Sequence, residues 1–433
     1  MSDGLDARRL ATHAFDRAFR GKGAIDETLN NDPAYRAMET RDRAFARLLA
    51  ATTLRRIGQT QAALDSFIAT PLSDDAHGAR ALLQTGAAQM IWLGTAPHAA
   101  VSGTVGLAKE SPGTARYAGL INAVLRKIAN EGTSLAKQTP EVSNLPTWLQ
   151  NSWRSAYGQT RLTRMAASAM IEPTLDLSLR DESEASHWAD MLGMDVLPTG
   201  SLRKSGIGDL TALPGFEDGV WWAQDAGAAL PAKLLSAQTG EAVLDLCAAP
   251  GGKTLQLATT GAAITALDAS AKRLKRLSEN LARTGLEADI IVANGRKWES
   301  DARFDAILLD APCTATGTLR RRPDAAWLKQ ASDAKSLAPI QDDLAKTAIN
   351  HLNPGGRLVI CTCSLQPEEG EHWLARILAK HSEMTLDPVR PEEMPELETA
   401  ILENGSVRLT PDLWFERGGI DGFFIARLVK AGH

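Results

Sequence analysis

Along residues 1 to about 130, apolar residues recur at three- and four-residue intervals. The stretches ARRLATHAFDRAFR, RDRAFARLLATTLRRI, TQAALDSFIA, HGARALLQTGAAQMIWL, HAAVSGTVGLAKE and RYAGLINAVLRKIAN all show this period. It predicts amphipathic helices gathered into an all-helical bundle, with Asp42, Pro97 and Pro112 at helix starts or connections. The polar stretch NEGTSLAKQTPEVSNLP (130–146) reads as a linker. A first domain is therefore expected over 1–135.

The pattern then becomes mixed. TWLQNSWRSAYG, RLTRMAASAM and SEASHWADMLG keep the helical period, whereas PTLDLSLR alternates like a half-buried strand. Residues 147–235 are expected to form a small α+β subdomain attached to the C-terminal segment. From 236 to 433 the period changes again. AVLDLC, AITALD, ADIIVA, FDAILLD and RLVICT are short unbroken apolar runs, each predicting a buried parallel strand. Amphipathic segments such as AKRLKRLSENLART and DAKSLAPIQDDLAKTAINHL separate them. This β-α-β alternation predicts an α/β doubly wound sheet. Such sheets bind ligands beyond the C-terminal ends of their strands.

Composition adds limits. The chain has 433 residues, 44% apolar and 23% charged, within the ordinary globular class. No apolar run approaches a membrane span, and MSDGLDARRL has no signal-peptide character. Four cysteines, none spaced as CxxC, speak against a disulfide framework and against a structural metal site. A cytoplasmic, metal-free protein with reduced thiols is expected. Net charge is −5, but residues 1–140 carry 17 Lys and Arg against 13 Asp and Glu, and the remainder 30 against 39. A basic excess in one domain suits a polyanion-binding surface, although solvated helix faces explain it about as well.

The strand ends hold the candidate chemistry. AVLDLC runs into AAPGGKT, a tight turn whose Gly251 and Gly252 allow close approach to a ligand. The GxxxxGK[ST] phosphate loop fails here, because Cys247 stands where its first glycine belongs, and GxGxxG is absent. Asp268 ends AITALD, sixteen residues past Gly252. A carboxylate there can accept from both ribose hydroxyls of an adenosine-containing ligand. A glycine turn with a second-strand acid, and no pyrophosphate site, fits S-adenosylmethionine. FDAILLD ends in Asp310, followed by APCTATGTLRRRPD with Cys313 and the run Arg320, Arg321 and Arg322. That run suits phosphate contacts or a solvated surface. RLVICT leads into CTCSLQPEEG, with Cys361 and Cys363 one residue apart.

LDLCAAPGGKT, LDAPCTATGTLRRRPD and CTCSLQPEEGE closely resemble motifs of the RNA cytosine-5 methyltransferases of the RsmB/Nop2/NSUN family. The resemblance extends over most of 141–433, including GFEDGVWWAQDAGAALPAKLL. The N-terminal helices resemble NusB, through RDRAFARLLATTLRR, AAVSGTVGLAKES and GLINAVLRK. The resemblance implies a class I, Rossmann-like methyltransferase core and a NusB-like RNA-binding domain. It further implies an RNA substrate, with the NusB-like fusion pointing to 16S rRNA, and S-adenosyl-L-methionine as cofactor. Residue by residue, it assigns the nucleophile to Cys363, product release to Cys313, and a hydrogen bond to the base to Asp310. It assigns cofactor binding to Cys247, Ala248, Ala249, Pro250, Gly251, Gly252, Lys253 and Thr254, with Asp268 on the ribose, Arg273 nearby and Asp310 at the edge. A single-chain enzyme is expected.

Two positions depart from the family pattern. Asn294, in ANGR, stands where the family has an acid for the adenine amine; an amide oxygen still accepts that bond. Cys361 is expected to be a buried bystander thiol. Glu368, Glu369 and Glu371 are expected to serve the first turn of the adjoining helix and to have no part in catalysis. Arg8, Arg9, Arg55, Arg56, Arg126 and Lys127 are the candidate RNA contacts. Alternatives are a tRNA cytosine-5 methyltransferase, or a non-catalytic NusB-like RNA-binding assembly or antitermination factor. The intact Asp310, Cys313 and Cys363 speak against a vestigial core.

Overall fold

The computed structural model describes residues 3–73, 75–206 and 208–432. It divides into two compact units, Met1–Met170 with Leu319–Ala331, and Ile171–Thr318 with Ser332–His433.

The first unit is helical throughout. Its principal helices are α1 (Asp3–Phe19), α2 (Thr40–Arg55), α3 (Ile57–Asp65), α4 (His77–Ile91), α5 (Pro97–Glu110) and α6 (Ala118–Lys127). Helix α4 is apolar nearly all round and is correspondingly the central one. Ala81 and Ala88 face one core, with Phe15, Leu49 and Leu54; Leu83, Ala87 and Ile91 face another, with Ile121 and Leu125. Small residues permit this sharing. At Gly86, a Cβ would lie 2.7 Å from a methyl of Leu125.

The expected linker at 130–146 is instead folded into helical turns, Thr133–Gln138 and Glu141–Asn144. Its polarity misled because Asn144 is buried and satisfied: it exchanges hydrogen bonds with the backbone N–H and side chain of Gln59, both 3.0 Å. Helix α7 (Thr147–Ala169) is broken at Gly158, which has φ of 77°. It groups with the first unit rather than with the α+β segment after it.

The arginine triplet also departs from expectation. Arg320 is fully buried in the first unit, and its carbonyl accepts from Arg55 at 2.8 Å. Asp324 accepts from the N–H of Ile25 at 3.0 Å, and the Ala326 carbonyl from Trp148 at 3.1 Å. These bonds make TLRRRPD largely a structural strap, with Arg322 exposed.

The second unit opens with a four-stranded antiparallel sheet: β1 (Leu175–Leu179), β2 (Asp195–Val196), β3 (Leu202–Lys204) and β4 (Trp221–Ala223), in the order β2-β3-β1-β4. Across it, Arg203 pairs with both oxygens of buried Asp176 at 2.7 and 2.6 Å, and Asp176 also accepts the N–H of Ala226. Ala226 starts helix α8 (Ala226–Leu235), so this buried pair couples the small sheet to the domain after it.

The main sheet contains β5 (Ala242–Leu246), β6 (Ala263–Asp268), β7 (Asp289–Val292), β8 (Phe304–Asp310), β9 (Leu352–Thr362), β10 (Met384–Leu386), β11 (Val407–Leu409) and β12 (Phe423–Lys430). Its order is β10-β12-β9-β8-β5-β6-β7, with β11 paired to β12. Strands β5 to β9 are parallel to one another; β12 runs antiparallel to β9. The doubly wound architecture stands, enlarged by three antiparallel strands. β7 was expected to be buried but forms an edge, and Val292 is 57% exposed. Helices α9 (Gly252–Ala258), α10 (Ala271–Thr284), α11 (Ala331–His351) and α12 (Glu371–Lys380) cover the sheet. Winding reverses between β5 and β8, so the loops after these two strands flank the switch point.

Candidate active site

The turn after β5 is shaped by packing. Cys247 leaves the strand with φ of 68°, and the N–H groups of Cys247 and Ala248 both donate to the Leu267 carbonyl, at 2.8 and 3.1 Å. Gly251 has φ of 112°, and a Cβ on it would lie 2.4 Å from Leu277 of α10. Glycine is required there for backbone and space alike. Below the turn, Thr254 donates to buried Asp245 at 2.6 Å. Burial pushes the Asp245 carboxyl up to about 7, against the opposing hydrogen bond from Thr254. Burial also pushes the Cys247 thiol up, so it is no nucleophile at neutral pH.

Asp268, at the end of β6, is buried and accepts from Ala249 N–H at 3.2 Å and Ser270 N–H at 2.9 Å. Arg273 reaches back to the Ala249 carbonyl and lies 3.6 Å from Asp268, lacing the glycine turn to that strand end. Asn294 comes after β7, where the N–H of Ala293 donates to the Asp268 carbonyl at 3.2 Å. The Asn294 amide oxygen accepts from Arg296 N–H at 3.1 Å.

Asp310, at the end of β8, pairs with Lys253 at 2.7 Å. Burial alone would lower the lysine, but Asp310, Cys361 and Asp245 more than offset this and hold it charged. Lys253 was expected on the cofactor side; its ammonium is engaged by the acid expected to meet the base. Cys361 lies opposite Asp310 in the β8–β9 register, fully buried. Burial, and then the charge of Asp310, raise its thiol well above the ordinary value, against the opposing charge of Lys253. A buried thiol held neutral in this way is no nucleophile.

The two remaining thiols meet. Cys313 Sγ and Cys363 Sγ are 3.5 Å apart. Contact with Cys363, then burial, then the charge of Glu369 raise the Cys313 thiol well above its usual range. The Cys313 loop is clamped to the end of β9: Gly317 N–H donates to the Cys363 carbonyl at 2.9 Å and accepts at its own carbonyl from Gly422 N–H at 2.8 Å. A Cβ at Gly317 would lie 2.1 Å from the Gly422 oxygen.

Of the glutamates after Cys363, Glu368 and Glu371 stand in first turns as expected, and Glu369 departs from the expectation. Glu368 is exposed and Glu371 pairs with Arg408 at 2.7 Å, but Glu369 is fully buried and bonds Thr314 and Gln341. Their spacing reads as helix capping, so only the fold reveals the partner 55 residues upstream.

Asp268 and Asp310 bring carboxylates to the glycine turn, Asp310 paired with Lys253 and Asp268 near Arg273. Gly251 leaves room for close approach at the turn and Asp268 supplies an acceptor for ribose hydroxyls, so the residues fit S-adenosylmethionine. In the first unit, the candidate RNA contacts divide. Arg55 is buried, Arg56 donates to the Met170 carbonyl and stacks on Trp92, and Arg8 donates to Gln89. These three are structural. Arg9 is exposed but paired with Glu110, and Arg126 and Lys127 are exposed.

A doubly wound sheet with a glycine turn and acid at adjacent strand ends defines a class I methyltransferase, here with a thiol pair from neighbouring loops. Residues 232–429 match the family 16S rRNA methyltransferase RsmB/F, and residues 5–130 match the NusB family. The chain is 31% identical over 446 residues to ribosomal RNA small subunit methyltransferase B of Cronobacter sakazakii, covering 99% of this chain and 100% of the relative. The corresponding protein of Klebsiella pneumoniae is 31% identical over 447 residues, covering 99% of both chains. The chain belongs to the 16S rRNA methyltransferase RsmB/F family, and is an S-adenosylmethionine-dependent RNA methyltransferase. Among solved structures, PH0851 shares the fold over 97% of this chain and 98% of its own, with a TM-score of 0.75 at 22% identity. A methyltransferase homologue from Pyrococcus horikoshii aligns at TM-score 0.55 and 27% identity, over 65% of this chain and 93% of that one.

Proposed function

We propose that the chain methylates carbon 5 of a cytosine in 16S rRNA through a covalent bond between Cys363 and carbon 6 of the base. The 3.5 Å approach of the Cys313 and Cys363 sulfurs carries this reading, since it joins two thiols from different strand ends beside Asp310. Carbon 5 is a weak nucleophile. Addition of the Cys363 thiolate to carbon 6 makes carbon 5 enamine-like and reactive. S-adenosylmethionine, when bound, supplies the electrophilic methyl group. The Cys313 thiol gives its own proton to solvent, and the resulting thiolate then takes the carbon 5 proton. Its electron pair rebuilds the double bond between carbons 5 and 6 and expels Cys363 as a thiolate.

Asp310 accepts from the exocyclic amine or holds the proton at nitrogen 3, stabilising the charge that addition creates. Lys253 fixes its orientation. The turn 247–254, Asp268, Arg273 and Asn294 hold the cofactor. In this reading residues 1–135 are the NusB-like RNA-binding domain, to whose unit α7 and Leu319–Ala331 are added, 171–235 is a small subdomain attached to the catalytic core, and the rest of 236–433 is the catalytic domain. The target base is unstacked to reach Cys363. The enzyme works as a single chain in the cytoplasm, with no metal. Among the described residues no helix is long and apolar enough to cross a membrane, and no cluster could hold a metal ion.

The test is incubation with unmodified 16S rRNA and methyl-labelled cofactor, with tRNA in parallel, and then mapping of 5-methylcytosine. Label at one cytosine of 16S rRNA is expected. Label in tRNA alone, or in neither RNA, overturns the reading.

A further inference from the structure

Cys313 has to meet both Cys363 and the base, and one buried carboxylate holds the chain beside it. Both oxygens of Glu369 accept from Thr314 N–H at 3.1 Å, and the Thr314 hydroxyl donates to one of them. Gln341 of α11 donates to Glu369 at 3.2 Å and to the Pro312 carbonyl at 3.0 Å. The residues on either side of Cys313 are therefore held by one Glu369–Gln341 bracket. The same turn is tied to the other thiol. The Glu369 carbonyl accepts from Thr362, and the Thr314 hydroxyl lies 3.1 Å from that of Ser364, the two residues flanking Cys363.

We propose that Glu369 is a positioning residue for the second half of the reaction: it holds Cys313 against Cys363 and sets how readily Cys313 takes the carbon 5 proton. The proposal rests on the adduct chemistry above. Once Cys363 is bonded to the base, its sulfur is a thioether and no longer competes for a proton with Cys313. Burial and the Glu369 charge are then what keep the Cys313 sulfur basic. The charged and titratable groups around this bracket are few. Cys363 faces Cys313 from the end of β9, and Glu369 from the turn after it. α11 contributes uncharged Gln341. Arg408 of β11 pairs with Glu371 and donates to the Ser364 carbonyl. Lys253 and Asp310 pair with each other.

The test measures adduct formation and adduct resolution separately, on the full chain with substrate RNA, across pH. In Glu369→Gln the charge is lost while the shape is kept. Adduct should form at a rate near that of the wild type, reach a limiting rate of resolution at high pH on the order of tenfold lower, and show its half-maximal resolution at lower pH. Glu369→Asp keeps the charge and should keep the wild-type midpoint even where its shorter reach slows both steps. An unmoved midpoint in Glu369→Gln, or an equal shift in Glu369→Asp, overturns the proposal. If the wild type forms no adduct at all, the underlying covalent chemistry fails instead, which is a distinct result.

Discussion

The sulfur of Cys313 lies 3.5 Å from that of Cys363, fifty residues further along the chain. The proposed roles are unequal, and the two variants should differ in kind. Cys363→Ala should form no protein–RNA adduct and lose essentially all turnover. Cys313→Ala should form the adduct and retain it, visible as a slow-migrating band on denaturing gels, with turnover reduced at least 10²-fold. Cys361→Ala should still form adduct; its failure to do so would move the nucleophile.

Lys253 pairs with Asp310 at 2.7 Å, and in the proposed mechanism this pair bears on catalysis as well as stability. Asp310→Asn removes the charge proposed to meet the base and takes the carboxylate partner from the buried ammonium. Turnover should fall on the order of 10²- to 10³-fold. Thermal unfolding should report a loss of about 1–3 kcal/mol, below the figure for a fully buried pair because Asp310 is partly exposed. Lys253→Met with Asp310→Asn should recover part of that stability and none of the activity.

Much of this site was legible in the sequence because it lies on contiguous motifs at strand ends. A doubly wound sheet converts those motifs into neighbours without further information. Asp268 beside the glycine turn and Cys313 beside Cys363 are both of this kind. What escaped notice depends on distant partners. Glu369 reads as a helix-capping acid until α11 brings Gln341 to it, and Arg320 reads as a surface cation until Leu319–Ala331 joins the helical unit. The strands β10 to β12 escaped because they are antiparallel additions beyond the β-α-β period. A buried polar residue such as Asn144 looks like a loop residue for the same reason: its satisfaction is tertiary.

Asp245 predicts a pH dependence of folding. Its carboxyl is raised from 3.8 to about 7 in the folded chain, mainly by burial. The folded state therefore binds the proton more tightly than the unfolded state. The resulting stability is fully present below pH 3.8 and is lost progressively as pH rises to about 7. The scale is on the order of 1.4 kcal/mol per pH unit, an upper figure. Asp245→Asn should flatten this slope, so that the variant gains stability relative to the wild type between pH 5 and pH 8. Thermal melts at those two pH values measure it; parallel slopes for the two proteins would count against a raised Asp245.

Asn294 tests how much the missing acid matters. Its amide oxygen already accepts from Arg296 N–H at 3.1 Å, the geometry a carboxylate would also adopt to cap this turn. The local backbone therefore has no reason to change in Asn294→Asp. An amide oxygen and a carboxylate both accept from an adenine amine, and a charged acceptor strengthens such a bond by about 1 kcal/mol. Asn294 is also exposed, so water screens the added charge. Asn294→Asp should tighten binding of S-adenosylhomocysteine by less than roughly tenfold, measured by calorimetry, with the rate of adduct resolution unchanged. A gain far beyond tenfold would show that the natural asparagine holds the cofactor poorly. No gain, with an unchanged melting temperature, would place the adenine away from this loop.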